Sequence, residues 1–285
     1  MKPPPVDYAA PETLDAAVGL LAGDLDAKVL AGGQSLVPLL SMRLAFPDLL
    51  VDLGRIAGLD EIRESGRHLV IGAMVRQRDA ETSEQVAGRC PLVVQALRHV
   101  AHPQIRARGT VGGSVAHADP AGELPAVAIA LDARVRVRGP EGDRVVPAAE
   151  LYRGMLTTSL APAEIVTAVE FPVDGEGSGS ACVEVAPRAG DFAVCGAVAR
   201  VSTVGGVVAE ARLALFGVAD RPLRAAAAEA ALRETPAAEA PGVAAALATE
   251  DVAFADDPQI PAGYRRQLAA VLARRAVAQA VEAAA

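Results

Sequence analysis

Two glycine turns, Ala31-Gly32-Gly33-Gln34-Ser35 and Thr110-Val111-Gly112-Gly113-Ser114, constrain this chain more than any other feature. The first follows a short apolar run, Lys28-Val29-Leu30-Ala31, and precedes a helical pattern over Leu36–Arg43 that Ser35 is placed to cap. Glycine lets a backbone turn without a Cβ and approach a ligand closely. Successive free N–H groups in such a turn make an anion nest, and a helix N-terminus behind it adds partial positive charge. Either turn alone is what an ordinary chain reversal needs. Together, each flanked by hydroxyl residues, they suit a pyrophosphate held from two sides. Neither matches the Rossmann G-x-G-x-x-G or the Walker G-x-x-x-x-G-K-[ST] pattern, so a dinucleotide would bind outside a Rossmann crevice.

The stretch after the second turn, Val115-Ala116-His117-Ala118-Asp119-Pro120-Ala121-Gly122-Glu123, sets a histidine and two carboxylates beside it. Asp119 or Glu123 can accept hydrogen bonds from ribose hydroxyls; equally, Asp119-Pro120 can start a turn and Glu123 can cap the helix ahead. His99 and His102 stand three apart, but no H-E-x-x-H and no Cys–His cluster accompanies them, which disfavours a metal site. Gly-x-Ser-x-Gly is absent, and no hydrolase nucleophile stands out.

Composition narrows the classes. The 285 residues are 52% hydrophobic and 22% charged, enough for a substantial core. Lys+Arg 27 against Asp+Glu 35 leaves a net charge of −8, a poor match for nucleic acid or anionic lipid. No run of 18 apolar residues and no apolar segment behind Met1-Lys2-Pro3-Pro4-Pro5 argue for a span or a secretory signal, so a cytoplasmic home is expected. Three scattered cysteines, Cys90, Cys182 and Cys195, can neither staple a disulfide framework nor ligate an iron–sulfur cluster.

Along the first third, helix and strand patterns alternate: a helix from Leu14 to Leu21, strands at 50–53 and 68–71, and a helical register over Val86–Leu97 that Pro91 kinks or restarts. Arg134–Arg138 and Arg144–Val146 read as a hairpin with one solvated face. Asp174–Ser180 is polar and Gly-rich, the best linker in the chain. Beyond it, strand-like runs (Ala193–Val201, Val207–Phe216) precede Ala-rich helices around 225–233 and 265–282, an α+β pattern.

The two turns and their tails resemble the flavoprotein (medium) subunit of the molybdenum hydroxylases, the xanthine dehydrogenase and carbon monoxide dehydrogenase medium-subunit family. Four segments carry the resemblance: Ala31-Gly32-Gly33-Gln34-Ser35-Leu36-Val37-Pro38; His102-Pro103-Gln104-Ile105-Arg106 leading to Gly109–Pro120; Arg188-Ala189-Gly190-Asp191-Phe192-Ala193; and Gly217–Arg224. It implies an α+β chain: a two-part FAD-binding domain of the PCMH (vanillyl-alcohol-oxidase) type over residues 1–175, then a smaller C-terminal domain over 180–285 with an antiparallel sheet and helices. By the same resemblance Ala31, Gly32, Gly33, Gln34, Ser35 and Leu36 with Thr110, Val111, Gly112, Gly113 and Ser114 hold the FAD pyrophosphate. His117 and Asp119 belong to the second FAD motif. Glu123 stands where the family has Asp reaching the adenosine ribose, Ile165 near the flavin ring, and Arg188 where many relatives place a lysine by the isoalloxazine.

The implied function is electron relay. A partner large subunit with a molybdopterin-type cofactor oxidises substrate, a small subunit carries two two-iron–two-sulfur clusters, and this chain holds FAD and passes electrons to a final acceptor, in a dimer of heterotrimers. No side chain here need act as acid or nucleophile. Relatives specialised for carbon monoxide tend to have His after the Gly pair, so Gln34 favours another substrate, such as an N-heterocycle. Alternatives are the medium subunit of a carbon monoxide dehydrogenase, a stand-alone FAD oxidase, for which the chain offers little substrate domain, and a nucleotide-binding scaffold without turnover.

Overall fold

The computed structural model describes residues 2–258 and 260–285. The chain builds three packed bodies. In the first, β1 (Asp7–Ala9), α1 (Leu14–Leu21), β2 (Ala27–Leu30), α2 (Leu36–Ser41) and β3 (Leu49–Asp52) form a parallel sheet in the order β1-β3-β2 with its helices. The α1 helix starts where Thr13 Oγ1 accepts from the Ala16 amide at 3.2 Å, and it buries Ala17, Val18 and Leu21 as the i, i+1, i+4 spacing requires.

The second body holds β4 (Ile62–Ser65), β5 (His68–Gly72), then six helices in succession: α3 (Gln77–Thr82), α4 (Glu84–Arg89), α5 (Pro91–Leu97), α6 (Pro103–Arg106), α7 (Val111–His117) and α8 (Glu123–Ala130). Then come β6 (Arg134–Gly139), β7 (Gly142–Pro147), α9 (Ala148–Leu151), a small ribbon of β8 (Tyr152–Gly154) and β9 (Thr157–Thr158), and β10 (Ile165–Pro172). Strands pair antiparallel in the order β4-β5-β10-β6-β7. Pro91 restarts the helix, because a proline at the first helical position loses no intrahelical bond. Arginines on the outer face of the β6–β7 hairpin are paired: Arg136 and Arg134 flank buried Glu170 of β10, Arg134 at 3.2 Å. Helix α8 is apolar all round after Glu123 and wholly buried, the central post between the second and third bodies.

The third body is an antiparallel sheet, β11 (Ser178–Val185), β12 (Cys195–Val204), β13 (Val207–Phe216) and β14 (Leu223–Arg224), backed by α10 (Ala226–Leu232), α11 (Ala240–Leu247) and α12 (Ala262–Ala283). Its α12 crosses β11 and β12, burying Ala269, Leu272, Ala273, Ala276, Val277 and Ala280. The strand expected from Ala193 begins at Cys195. The Gly-rich segment 174–180 is only partly a connection. Strand β11 begins at Ser178, and Asp174 is clasped by Arg200, which also reaches Ser178 Oγ at 3.2 Å. One core runs through both bodies, joining Leu92, Leu97, Val127 and Phe171 with Val198, Ala214 and Phe216.

No helix among the described residues is long and apolar enough to cross a membrane. All three cysteines are free and buried, and burial pushes the Cys90 and Cys195 thiols up to about 12.

Candidate functional site

Ala31–Ser35 leaves the end of β2 as expected, and Ser35 holds the N-cap position of α2, but without a side-chain cap. It has helical backbone angles (φ −104°, ψ −47°) and its side chain makes no capping bond. The turn is stabilised instead from within: Gln34 Nε2 donates to Gly32 O at 3.2 Å, and the Val37 amide donates to Gly33 O at 3.0 Å. Gly33 has φ +74°, a conformation L side chains rarely adopt. Gly32 lies against the 108–109 backbone, where a Cβ would stand 2.8 Å from Gly109 Cα. The consequence is a run of donors: the amides of Gly32, Gly33, Gln34, Ser35 and Leu36 have no protein acceptor among the described residues. An anion is the partner such a run suits.

The second glycine pair is not a turn. Gly112 and Gly113 lie in the first turn of α7, with Thr110 as N-cap accepting from Gly113 at 3.0 Å. Its amides are not free either: Val111 donates to Val75 O at 3.0 Å, Gly112 to Ala73 O at 3.0 Å, and Ser114 to Thr110 O at 3.1 Å. The expectation of two facing nests is therefore corrected. The amides needed to dock this helix against residues 73–75 are spent on doing so, leaving the Thr110 amide and the hydroxyls of Thr110 and Ser114 as donors here. Glycine is required for packing: a Cβ on Gly112 would lie 2.6 Å from Ala73 Cα, and one on Gly113 would lie 3.3 Å from the Ala31 Cβ.

Residues 73–77 brace this element and went unnoticed in the sequence. Gln77 N donates to Gly109 O at 2.8 Å, and Arg76 Nη1 donates to Arg108 O at 2.6 Å. The only sequence sign was an apolar stretch, Ala73-Met74-Val75, with no motif around it.

The tail of the second element is compact. His117 ends α7, and Ala118 follows in the left-handed region at φ +56°. Burial lowers the His117 pKa against the pull of Asp119, so the ring is neutral at pH 7. Asp119 Oδ1 accepts from the Ala121 amide at 2.8 Å, the turn the Asp-Pro pair allows. Glu123 is the first residue of α8 rather than its cap, which is Gly122. Burial pushes its carboxyl up to about 8; its own amide and His99 oppose the shift, and Glu184 and Asp119 add to it. At neutral pH Glu123 is largely protonated, able to donate as well as accept.

Ile165, the first residue of β10, is buried in the core beneath the first loop with Val51, Leu53 and Met74. Arg188 is exposed on residues 186–194, which join β11 to β12. The structure thus brings Ala31–Gly32 against Gly109 and Gly113, with Ile165 behind them. Arg188 stands on a separate arm.

Against known proteins, residues 4–174 match the family described as "FAD binding domain in molybdopterin dehydrogenase", and residues 181–280 match the "CO dehydrogenase flavoprotein C-terminal domain". The chain is an FAD-binding oxidoreductase subunit of the molybdenum hydroxylase type. More particularly, it belongs to the medium-subunit flavoproteins of that family. It is 39% identical to the alpha subunit of the 6-hydroxypseudooxynicotine dehydrogenase complex of Paenarthrobacter nicotinovorans, covering 99% of this chain and 96% of that one. It is 40% identical to the carbon monoxide dehydrogenase medium chain of Afipia carboxidovorans over 98% of each. Its fold superposes on a chain of the reconstituted CO dehydrogenase from Oligotropha carboxidovorans with a TM-score of 0.96, at 39% identity, covering 99% and 100% of the two chains. The FAD assignment agrees with the geometry, in which a row of open amides stands beside a glycine-walled helix start.

Proposed function

We propose that this chain is the FAD-carrying relay of a three-subunit complex, arranged as a dimer of heterotrimers in the cytoplasm. In this reading a molybdopterin-binding large subunit oxidises the substrate, and two-iron–two-sulfur clusters on a small subunit deliver electrons to the flavin. Bound FAD supplies the chemistry, accepting electrons singly and discharging them in pairs to a final acceptor.

This chain's own residues bind and orient. The amides of Gly32 to Leu36, with the hydroxyls of Ser35, Thr110 and Ser114, hold the pyrophosphate, and Ala31, Val111, Gly112 and Gly113 shape the wall behind it. His117, Asp119 and Glu123 serve the adenosine half, where a protonated Glu123 donates to or accepts from a ribose hydroxyl. Ile165 and Arg188 serve the ring end, Arg188 as a fixed positive charge. One observation carries the reading: the unpartnered amides of the first loop, since an anion is what satisfies them. Gln34 is committed to its own loop through Gly32 O, and with Gln rather than His at this position we favour an N-heterocyclic substrate on the partner subunit over carbon monoxide.

The test is cofactor content. Purified chain should carry one non-covalent FAD, released by acid with its adenine half intact. FMN in its place, or no flavin at all, would contradict the assignment.

A further inference from the structure

Strand β11 stands at the edge of its sheet and packs against α5 of the second body. Its side chains divide by the two-residue period of a strand. Ala181, Val183 and Val185 pack into the third body's own core, whereas Cys182 joins the core shared with the second body. Glu184, on the same side as Cys182, lies with Oε1 3.5 Å from His99 Nδ1, just past the end of α5. One helical turn earlier, Gln95 Nε2 donates to Ser180 O at 3.1 Å. This line of contact is incompletely matched: Gln95 Oε1, Ser180 Oγ and Glu184 Oε2 are buried with no hydrogen-bond partner among the described residues. Buried polar atoms left without partners weaken a contact, so the joint between the two bodies gives first along β11.

Two carboxyls enter this joint from opposite sides. Glu184 belongs to β11 and its side chain is 6% exposed; Glu123 opens α8 and is 9% exposed. Both act on the Cys182 thiol, adding to the rise that burial gives it. The charged groups facing Glu123 are Glu184, Asp119 and a single cation, His99, which also serves Glu184. Two buried carboxylates with one imidazole leave a charge uncompensated, and like charges sharing a buried site retain a proton. Burial first, and Glu184 after it, make Glu123 the group that keeps it.

We propose that β11 is latched to the second body by one proton held where Glu123 meets Glu184, and that the strand lets go as this proton is lost to solvent. No other bond is made or broken, and the latch is independent of whether the chain binds FAD. Held in the joint, Glu123 ionises at about 8; released into water, it ionises near the ordinary 4.5. Release of β11 is therefore favoured about tenfold per pH unit as pH rises between those values, and it levels off above them. His99, raised chiefly by its Glu184 bond, adds in the same sense above its ordinary 6.5, where a released ring gives up its proton.

Cys182 reports the latch, and Cys195, packed in the third body's own core, is the internal control. Dithiodipyridine labelling of the full-length chain as purified, read by peptide mass, gives each thiol's protection: its rate in the denatured chain over its native rate at the same pH. At pH 6.5 Cys182 should be at least about tenfold less protected than Cys195, because release of β11 uncovers it without global unfolding. From pH 5 to pH 6.5, where His99 is charged in both states, Cys182 protection should fall by at least about tenfold. Glu123→Gln, which keeps the shape without the titration, should hold Cys182 protection constant over that range. Equal protection of Cys182 and Cys195 at each pH would overturn the latch in the unsubstituted chain alone, since both thiols would then be reached only by global unfolding. Cys182 protection that does not change with pH would overturn it too. A Glu123→Gln chain that keeps the full fall would show that another group carries the proton, and the latch would again be wrong.

Discussion

Gly113 and Ala31 meet back to back: a Cβ on Gly113 would stand 3.3 Å from the Ala31 Cβ and 2.7 Å from Thr110 Oγ1. That contact joins the two glycine elements into one wall, and it gives them different tasks. The first keeps its amides open, and the second spends its amides on docking. The glycines should therefore respond differently to substitution.

Gly33→Val should lower FAD affinity by at least about tenfold, or ~1.4 kcal/mol, because the loop must leave φ +74° and disturb its open amides. Gly112→Ala should act chiefly on stability, costing about 1–3 kcal/mol by overpacking against the Ala73 backbone. Flavin titration and denaturant melts of both variants check this. Equal FAD affinity in Gly33→Val and the parent chain would make the first loop merely structural.

Arg106→Ala should destabilise the chain by about 1–3 kcal/mol, since it leaves Glu81 with only the half-exposed Arg78 and leaves the Val100 and Ala101 carbonyls without that donor. Burial works against ionisation of Glu81, but the hydrogen bonds and charges of Arg106 and Arg78 outweigh it and hold the carboxyl below its ordinary range. Its contribution is present above that range and is lost as pH falls through the lowered value. Urea melts of the two chains should draw closer at strongly acid pH, the remaining gap reflecting the Val100 and Ala101 carbonyls that Arg106 still serves.

Glu123 works in the opposite sense. With its carboxyl pushed up to about 8, the folded chain holds a proton that the unfolded chain releases near the ordinary 4.5. Stability should therefore fall as pH rises between those values, by an amount on the order of a few kcal/mol. Glu123→Gln keeps the shape without the titration, so its stability should be flatter over pH 5–8. Parallel pH–stability curves for the two chains would show that Glu123 is ionised in the fold.

The buried thiols should be inert. A thiol reagent should label none of Cys90, Cys182 and Cys195 quickly in the native chain and all three after denaturation, because burial raises each pKa and the thiolate is the reactive form. Rapid labelling of a native thiol would contradict this.

How much of this was legible in the sequence varied with the kind of interaction. Period and caps announced α1, the Pro91 restart and the β6–β7 hairpin, because those signals are local. Gly32-Gly33 and Gly112-Gly113 looked alike, yet one is a turn and the other a helix start. What separates them is where the amides find acceptors, and Ala73 and Val75 lie far away in sequence. Ser35 takes the N-cap position but makes no side-chain cap for a related reason, since the loop is closed by Gln34 on Gly32 O instead. The His99–His102 pair was visible as a spacing, but its partners, Glu184 and Gly190, come from the third body.

The central claim is that this chain relays electrons taken from a partner subunit. Its most direct test is stopped-flow absorbance of the flavin on adding substrate, with the chain alone and within the three-subunit complex. Flavin bleaching in the complex, and none in the chain alone, is the result expected. A lone chain that bleaches with substrate as fast as the complex would be a self-sufficient oxidase, and the relay account would be wrong.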